Sequence, residues 1–273
     1  MAIRPPRRRV SWQISQLPWK RWVSWLLVLV VIFVALRIRA ARRADKLTTD
    51  STAPTAGSDF TVFISPGNGG TELGPVYPKD STSPEVAAKN VTLQIAQATA
   101  RALNKEGIAA ELSREGDTLV DALERRGRAE QVGAKLSVAI YVNENYDDLA
   151  QAGIELIDYK KVDWAEHYKQ RAAFAKELEG ALLDRLHDYG TASTGIFTRN
   201  SAFVPDMPTV VVLVGFISNE VERGRLTTED YQWQIANAIT DAAVIYRDQL
   251  MNRTDPPADI PAEVIVSRLH VPF

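Results

Sequence analysis

Residues 208–219 read PTVVVLVGFISN, and this stretch sets the fold class of the chain. Residues 209–214 form an almost uninterrupted apolar run. Such a run is typical of a strand that is buried on both faces, because an apolar side chain is then favoured on each side. We therefore expect residues 209–214 to be a central strand of a sheet that is covered by other elements.

Other apolar segments predict further strands on the N-terminal side of this one. They are residues 60–64, 108–112, 136–142 and 153–159. Helical periodicity and end signals predict four helices. The first opens at Ser83, Pro84 and Glu85 and stops before Gly107, and the second opens at Asp117. The third covers about residues 164–189 and the fourth about residues 229–250. Leu119 and Leu123 are expected to face inward on the second helix. Strands that alternate with helices predict an α/β domain.

The N-terminal region has a different composition. Residues 22–36, WVSWLLVLVVIFVAL, carry no charge and have basic residues on both sides. A membrane-spanning helix needs about 17–25 apolar residues, so this run is short, but its tryptophans suit the membrane interface and its flanking arginines can reach the headgroups. The basic flanks argue against a buried core helix, and the RIRAARRA at residues 37–44 favours an anchor that is not cleaved.

This pattern divides the chain into five predicted parts. They are a basic N-terminal segment, residues 1–21; a transmembrane anchor, residues 22–38; a basic stretch and flexible linker, residues 39–58; a folded domain, residues 59–250; and an irregular, proline-containing tail, residues 251–273. Basic residues are nearly balanced on the two sides of the anchor, so the positive-inside rule does not choose an orientation.

The overall charge and the absence of cysteine exclude several classes of function. The chain has 32 Lys and Arg against 34 Asp and Glu, a formal net charge of -2. No global field therefore attracts it to nucleic acid. There are no cysteines, which excludes disulfides and thiolate zinc sites.

Four ordered segments resemble a known family. They are ISPGNGG at residues 64–70; Ser113 and Arg114 with Asp117, Leu123 and Arg126; AIYVN at residues 139–143 followed by Gly153, Ile154 and Glu155; and PTVVVLVGFISN at residues 208–219. Their order and spacing resemble the zinc-dependent N-acetylmuramoyl-L-alanine amidases (amidase type 3). The resemblance covers about residues 60–247. It implies an α/β fold with a mixed sheet of about six strands flanked by helices, and a site at the strand ends.

The resemblance also identifies the positions that carry the family's chemistry. The family uses two histidines and a glutamate to hold zinc and a second glutamate as general base, which activates a metal-bound water. The ligand positions here hold Asn68, Ala88 and Tyr141, and the base position holds Leu213. An amide is a weak ligand, a methyl group offers nothing, a phenol is largely un-ionised at neutral pH, and leucine cannot move a proton. The resemblance therefore implies a degenerate member with no catalytic residue and no zinc.

Other residues could replace the missing ligands only in part. Glu85 lies about one helical turn before Ala88 and is expected to face the same side. The three histidines are His167, His187 and His270. His167 and His187 fall on one predicted helix but point nearly opposite ways. Structural or solvated roles are expected for the histidines and for Glu72, Glu144 and Glu155.

Two functions from different classes remain open. The first is a pseudoenzyme, a single-pass protein of the bacterial inner membrane whose domain faces the periplasm or cell exterior and binds peptidoglycan or an envelope protein. Its possible ligand cleft contains Asn68, Glu72, Tyr141, Asn143 and Asn219, although these residues could also simply fill a vacated pocket. The alternative is an active amidase with a displaced metal site.

Overall fold

The computed structural model describes residues 59–160, 165–200 and 207–252. The strands are β1 Thr61–Pro66, β2 Val76–Tyr77, β3 Val86–Ala87, β4 Ala109–Leu112, β5 Leu136–Asn143, β6 Ile154–Lys160, β7 Ser193–Asn200 and β8 Thr209–Phe216. The helices are α1 Ala88–Lys105, α2 Ala122–Gln131, α3 Ala165–Arg185, α4 Glu220–Leu226 and α5 Glu229–Met251, with a 3-10 turn at His187–Tyr189.

Six strands form one mixed sheet in the order β4-β1-β5-β8-β6-β7. The first four are parallel to one another, β6 runs antiparallel to β8, and β7 is parallel to β6. The predicted mixed α/β sheet is therefore confirmed. β8 lies between β5 and β6, as its apolar sequence predicted.

The main core lies between one face of the sheet and the helices α1, α3 and α5. Alternate strand residues such as Ile64, Ile140 and Val212 are fully buried there. Phe174 of α3 packs edge-on against Tyr246 of α5, with ring centroids 5.6 Å apart. Burial of this kind contributes roughly 25 cal/mol for each Å² of apolar surface.

Fewer of the described residues pack on the opposite face of the sheet. The helix α2 packs on it through Ala129, in a cluster with Phe63, Ala134 and Met207. Because strand side chains alternate between faces, Tyr141 and Leu213 belong to this second face. The face matters for the functional argument, since two of the positions that the resemblance assigns to the family's chemistry lie on it.

Two helices begin later than the sequence predicted. The strand β3, paired antiparallel with β2, occupies the residues just before α1. Glu85 therefore lies before the helix and is exposed, and the expectation that it shares a helical face with Ala88 is wrong. The helix α2 begins after Asp121, whose side chain accepts a hydrogen bond of 2.8 Å from the Glu124 N–H.

The apolar side chains near the start of α2 were also assigned wrongly. Leu119 precedes the helix and is 44% exposed, and Leu123 is 63% exposed. Neither faces inward. The strand β7 and the short helix α4 were not predicted at all. His187 lies in the 3-10 turn and not on α3, so the predicted helix that carried both His167 and His187 ends earlier.

The membrane prediction falls outside the described residues. Among the residues that the structure does describe, no helix is both long enough and apolar enough to cross a bilayer. The predicted anchor at residues 22–38, the linker at residues 39–58 and His270 all lie outside that part of the chain.

Candidate functional site

The turn after β1 brings together the first two ligand positions. Asn68 has a left-handed backbone with φ of 58°, a conformation that asparagine tolerates better than most residues. A Cβ placed on Gly74 would lie 2.3 Å from Asn68 Oδ1 and 3.1 Å from the Ala88 Cβ. Asn68 and Ala88 are thus neighbours across Gly74, as the resemblance implies.

The side-chain oxygen of Asn68 has no hydrogen-bond partner in the described part of the chain. Asn68 Oδ1 is buried and has no hydrogen bond among the described residues. A buried polar atom without a partner costs free energy, of the order of 1–3 kcal/mol. The methyl group of Ala88 beside it offers no donor or acceptor, so this pair supplies one neutral oxygen.

Tyr141, at the second histidine position, is held on both sides. A Cβ on Gly67 would lie only 2.5 Å from Cδ1 of the Tyr141 ring, so glycine is required where the ring packs on the turn. At its other end, the Tyr141 hydroxyl accepts a hydrogen bond of 2.7 Å from Nη1 of Arg125. A guanidinium therefore occupies the polar end of this side chain.

Leu213, at the base position, lies beside Tyr141. The two residues are partners in the parallel β5–β8 ladder. On its other side Leu213 is opposite Glu155 of the antiparallel strand β6. Directly opposed residues have their side chains on the same face, so Tyr141, Leu213 and Glu155 form one row across three strands.

The turn at residues 67–70 is held by side chains that are not ligand positions. Arg114, which is 3% exposed, donates from Nη2 to the carbonyls of Gly67 (2.9 Å) and Lys89 (2.8 Å). Burial lowers the pKa of Arg114. The Thr92 hydroxyl also donates to the Gly67 carbonyl, at 2.9 Å.

An ion pair closes the same turn from outside. Asp117 accepts hydrogen bonds from Lys89 Nζ at 2.6 Å and from the Gly70 N–H at 2.8 Å. The hydrogen bond from Lys89 is the main reason that the pKa of Asp117 is lowered. The Lys89 ammonium also donates to the Gly70 carbonyl. These contacts tie the turn to Lys89 and Asp117.

The remaining predicted cleft residues make local hydrogen bonds. Asn219 caps α4 by accepting from the N–H groups of Val221 and Glu222, and its amide donates to the Leu149 carbonyl at 3.1 Å. The Asn143 side chain accepts from the N–H of the next residue, Glu144. Glu72 is exposed and pairs through its backbone with Gly69.

The predicted cleft is therefore only partly assembled. No hydrogen bond or ion pair among the described residues joins Glu72 or Asn219 to Tyr141. Whether these residues bind a ligand stays a prediction.

Glu222 is a buried carboxylate that the sequence reasoning missed. It is 3% exposed and accepts hydrogen bonds from the N–H groups of Gly153 (2.8 Å) and Phe216 (2.7 Å). Burial raises the pKa of Glu222, although the two backbone hydrogen bonds oppose that rise. Its role is structural, because it ties the start of β6 to the end of β8. The sequence signal that could have identified Glu222 is its position three residues after Asn219, which caps α4.

A groove runs along the second face of the sheet beside α2. Its volume is about 330 Å³. Tyr141, Val211, Leu213 and Ile157 form part of its wall, and Arg125 of α2 lies at its side. Sequence reasoning placed the cleft at the strand ends and did not predict this groove.

The residues at the ligand positions do not fit zinc. Zinc needs three or four nitrogen, sulfur or carboxylate donors in tetrahedral arrangement. Here the set offers one amide oxygen at Asn68, and a phenol at Tyr141 that is hydrogen-bonded to a guanidinium. Among residues 59–160, 165–200 and 207–252, no three His, Cys, Asp or Glu residues lie together where they could hold a metal ion.

Comparisons with known proteins agree with this fold. A family model described as N-acetylmuramoyl-L-alanine amidase matches residues 62–244. The amidase LytC of Bacillus subtilis is 30% identical over 188 residues, which cover 68% of this chain and 35% of LytC.

Solved structures show the same architecture. The amidase AmiC2 of Nostoc punctiforme superposes with a TM-score of 0.62 at 24% identity, covering 70% of this chain and 98% of AmiC2. The CwlD amidase of Clostridioides difficile, in complex with the GerS lipoprotein, gives a TM-score of 0.59 at 22% identity, covering 70% of this chain and 100% of CwlD.

Proposed function

Because the chain belongs to the N-acetylmuramoyl-L-alanine amidase family, we propose that it is a membrane-anchored pseudoenzyme of the cell envelope that binds peptidoglycan without cutting it. One observation carries the proposal. Tyr141 and Leu213, which the resemblance assigns to a metal-ligand and a base position of the family, are partners on neighbouring strands, and the hydroxyl of Tyr141 accepts a hydrogen bond from Arg125. This pair can neither hold a metal ion nor activate water.

The hydrogen-bonded turn at residues 67–70 supports a role in ligand binding. The hydrogen bonds of Arg114 and Asp117 keep the turn next to Tyr141 in one shape. An aromatic ring in a fixed position is a common anchor for ligand recognition. Peptidoglycan is the family's substrate, so it is the ligand that we propose.

The proposed location in the cell rests on the N-terminal sequence for the anchor and on the family's substrate for the orientation. We propose that residues 22–38 anchor the chain in the bacterial inner membrane by a single span. The domain then faces the periplasm or cell exterior, where peptidoglycan is found. Residues 47–58, LTTDSTAPTAGS, are the flexible part of the linker, and a flexible chain of about twelve residues spans roughly 20 Å on average, which keeps the domain close to the membrane.

An envelope protein is the second candidate ligand. CwlD, which shares the fold, was solved in complex with the GerS lipoprotein. Binding of a protein partner would use the same anchored domain and would also require no hydrolysis. This second candidate function differs from the first only in the ligand, which would be a protein and not peptidoglycan.

An active amidase with a displaced metal site is the alternative that the geometry favours least. Glu85 is exposed before α1 and is not on the helical face of Ala88. Glu72 is also exposed. A metal site needs several converging donors, and these carboxylates are not arranged in such a group.

A sedimentation assay with purified sacculi tests the proposal. We expect the full-length protein to be retained and to release no stem peptides, with or without added zinc. Tyr141→Ala should weaken retention by roughly 2 kcal/mol or more, about thirtyfold. Trp233→Ala, an aromatic truncation on the opposite helical layer, is the matched control and should bind normally. Zinc-dependent, chelator-sensitive release of stem peptides would refute the proposal.

A further inference from the structure

Arg125 of α2 is a half-buried cation that has no acidic partner among the residues that the structure describes. Its Nε donates to the Val120 carbonyl at 2.8 Å and its Nη1 to the Tyr141 hydroxyl at 2.7 Å. A guanidinium has five N–H donors, so three of them have no hydrogen-bond partner among the described residues. Both groups that Arg125 does contact are neutral.

The nearby carboxylates of α2 are already engaged. Glu124 pairs with Arg128 at 2.6 Å, and Glu130 pairs with Arg126 at 2.8 Å. Asp121 caps the helix. Arg125 therefore forms no ion pair with any of these carboxylates of α2.

A second arginine, Arg114, lies near Arg125. Burial is the main cause of the lowered pKa of Arg114; the negative charge of Asp117 opposes this shift, and the positive charge of Arg125 adds to it by a smaller amount. The two guanidinium groups are therefore close enough to repel each other. The acid beside them, Asp117, is bonded to Lys89.

The groove next to Arg125 has an apolar floor. Val211, Leu213 and Ile157 contribute aliphatic side chains, and no described Asp or Glu lines it. Glu155, opposite Leu213 in the ladder, is not part of the lining. The groove therefore offers a fixed cation beside an apolar surface.

We propose that Arg125 binds a ligand carboxylate, and that the groove takes a short peptide whose apolar side chain lies on Val211 and Leu213. A guanidinium binds a carboxylate through two parallel hydrogen bonds, and Arg125 has the donors for them. This inference rests on the proposed function, because it assigns the carboxylate to the stem peptide of peptidoglycan. Arg125 is then a specificity-determining residue.

The size of the groove favours a short peptide over a folded partner. Its volume of about 330 Å³ is at the lower end of ordinary small-ligand pockets, which hold roughly 300–1,000 Å³. A few peptide residues fit the volume and supply both a carboxylate and an apolar side chain.

The test measures binding of soluble muropeptides to the full-length protein by calorimetry. The same muropeptides with their carboxylates converted to amides form the second ligand. Arg125→Gln removes the cation, Arg125→Lys keeps the charge without the planar pair of donors, and Arg185→Gln is the control. Arg185 lies on α3, in the other helical layer, and pairs with Asp241 at the surface.

We expect amidation of the ligand to weaken binding at least tenfold. Arg125→Gln should cause a similar loss, and the two changes together should cost little more than either alone, because they remove one interaction. Arg125→Lys should fall between Arg125→Gln and the unchanged protein, and Arg185→Gln should bind normally. The comparison of acid and amide muropeptides tests the carboxylate site even if an Arg125 variant fails to fold.

Other outcomes separate this inference from the proposed function. Equal binding of the acid and amide ligands overturns the carboxylate site but leaves peptidoglycan binding standing. Retention on sacculi without muropeptide binding also overturns only the inference. Failure to bind either material overturns both. Arg125-dependent capture of an acidic envelope protein, without muropeptide binding, overturns the assignment to stem peptide.

Discussion

Tyr141 and Leu213 are direct partners on the neighbouring parallel strands β5 and β8, and their side chains share one face of the sheet. The sequence resemblance assigns these two positions to a metal ligand and to the base of the family's reaction. Because they are in contact range, changing one alters the surroundings of the other. Restoring chemistry here therefore requires both to be replaced.

The metal site should be restorable in steps. We expect the full-length protein to bind no equimolar zinc, and Asn68→His alone to bind none, since one strong donor cannot hold the ion. Asn68→His, Ala88→Glu and Tyr141→His together should bind zinc but should not hydrolyse peptidoglycan while Leu213 remains. Metal analysis after zinc incubation and dialysis measures this. Tight equimolar zinc in a single variant would mean that the positions are aligned wrongly.

Gly69→Ala should destabilise the fold by about 2 kcal/mol or more. Gly69 has φ of 137°, and a Cβ there would lie 2.1 Å from the carbonyl oxygen of Thr118. Gly116→Ala is the matched control in the adjacent loop, because a Cβ at Gly116 meets nothing within 4 Å. Urea unfolding of both variants gives the comparison. Equal stabilities would contradict the close approach of the two turns.

Glu222 should make the stability of the domain fall as the pH rises. Burial raises its pKa in the folded state, while the unfolded chain has an ordinary value of about 4.3. The stabilising contribution of Glu222 is therefore complete below about pH 4.3, and it is lost as the pH rises through the raised pKa.

The variant Glu222→Gln tests this. It should lose one backbone hydrogen bond, because an amide nitrogen would face an N–H, and should cost about 1–3 kcal/mol. It should also lose the pH dependence that Glu222 causes. Urea midpoints at several pH values, with the exposed Glu220→Gln as control, measure both effects. An unchanged pH profile in Glu222→Gln would contradict the assignment.

Residues 22–36 should keep the protein in the membrane. We expect the full-length chain to stay in the pellet after alkaline carbonate extraction, and a variant without residues 22–36 to be released. Protease added to spheroplasts should digest the domain of the full-length chain. Extraction by carbonate, or a mature N-terminus beyond Arg37, would contradict the anchor, and protection from protease would contradict the orientation.

The sequence predicted the central strands because burial on both faces leaves a continuous apolar pattern. The edge strand Ser193–Asn200 was missed because its residues are mixed, and several of them, such as Phe197 and Arg199, are exposed. The start of α1 was misplaced because Ser83, Pro84 and Glu85 have the composition of a helix start. Pairing of Val86–Ala87 with Val76–Tyr77, a long-range contact, takes precedence over that local signal.

The site was predictable only as a set of positions. The resemblance located Asn68, Ala88, Tyr141 and Leu213, and the structure brings the first two together and the last two together. Arg125 was not predicted, because it is one of three arginines in the short run ERRGR at residues 124–128. Only the three-dimensional contact with the Tyr141 hydroxyl distinguishes it from Arg126 and Arg128.

The hydrogen bonds of Arg114 to the Gly67 and Lys89 carbonyls have a consequence for the history of such chains. Because this arginine supports the turn through its own side chain, we expect that the residues at the ligand positions can be substituted one at a time without unfolding the protein. A lineage can then pass through inert but stable intermediates by neutral drift. Selection for a new role can begin before the last trace of the old active site has been erased.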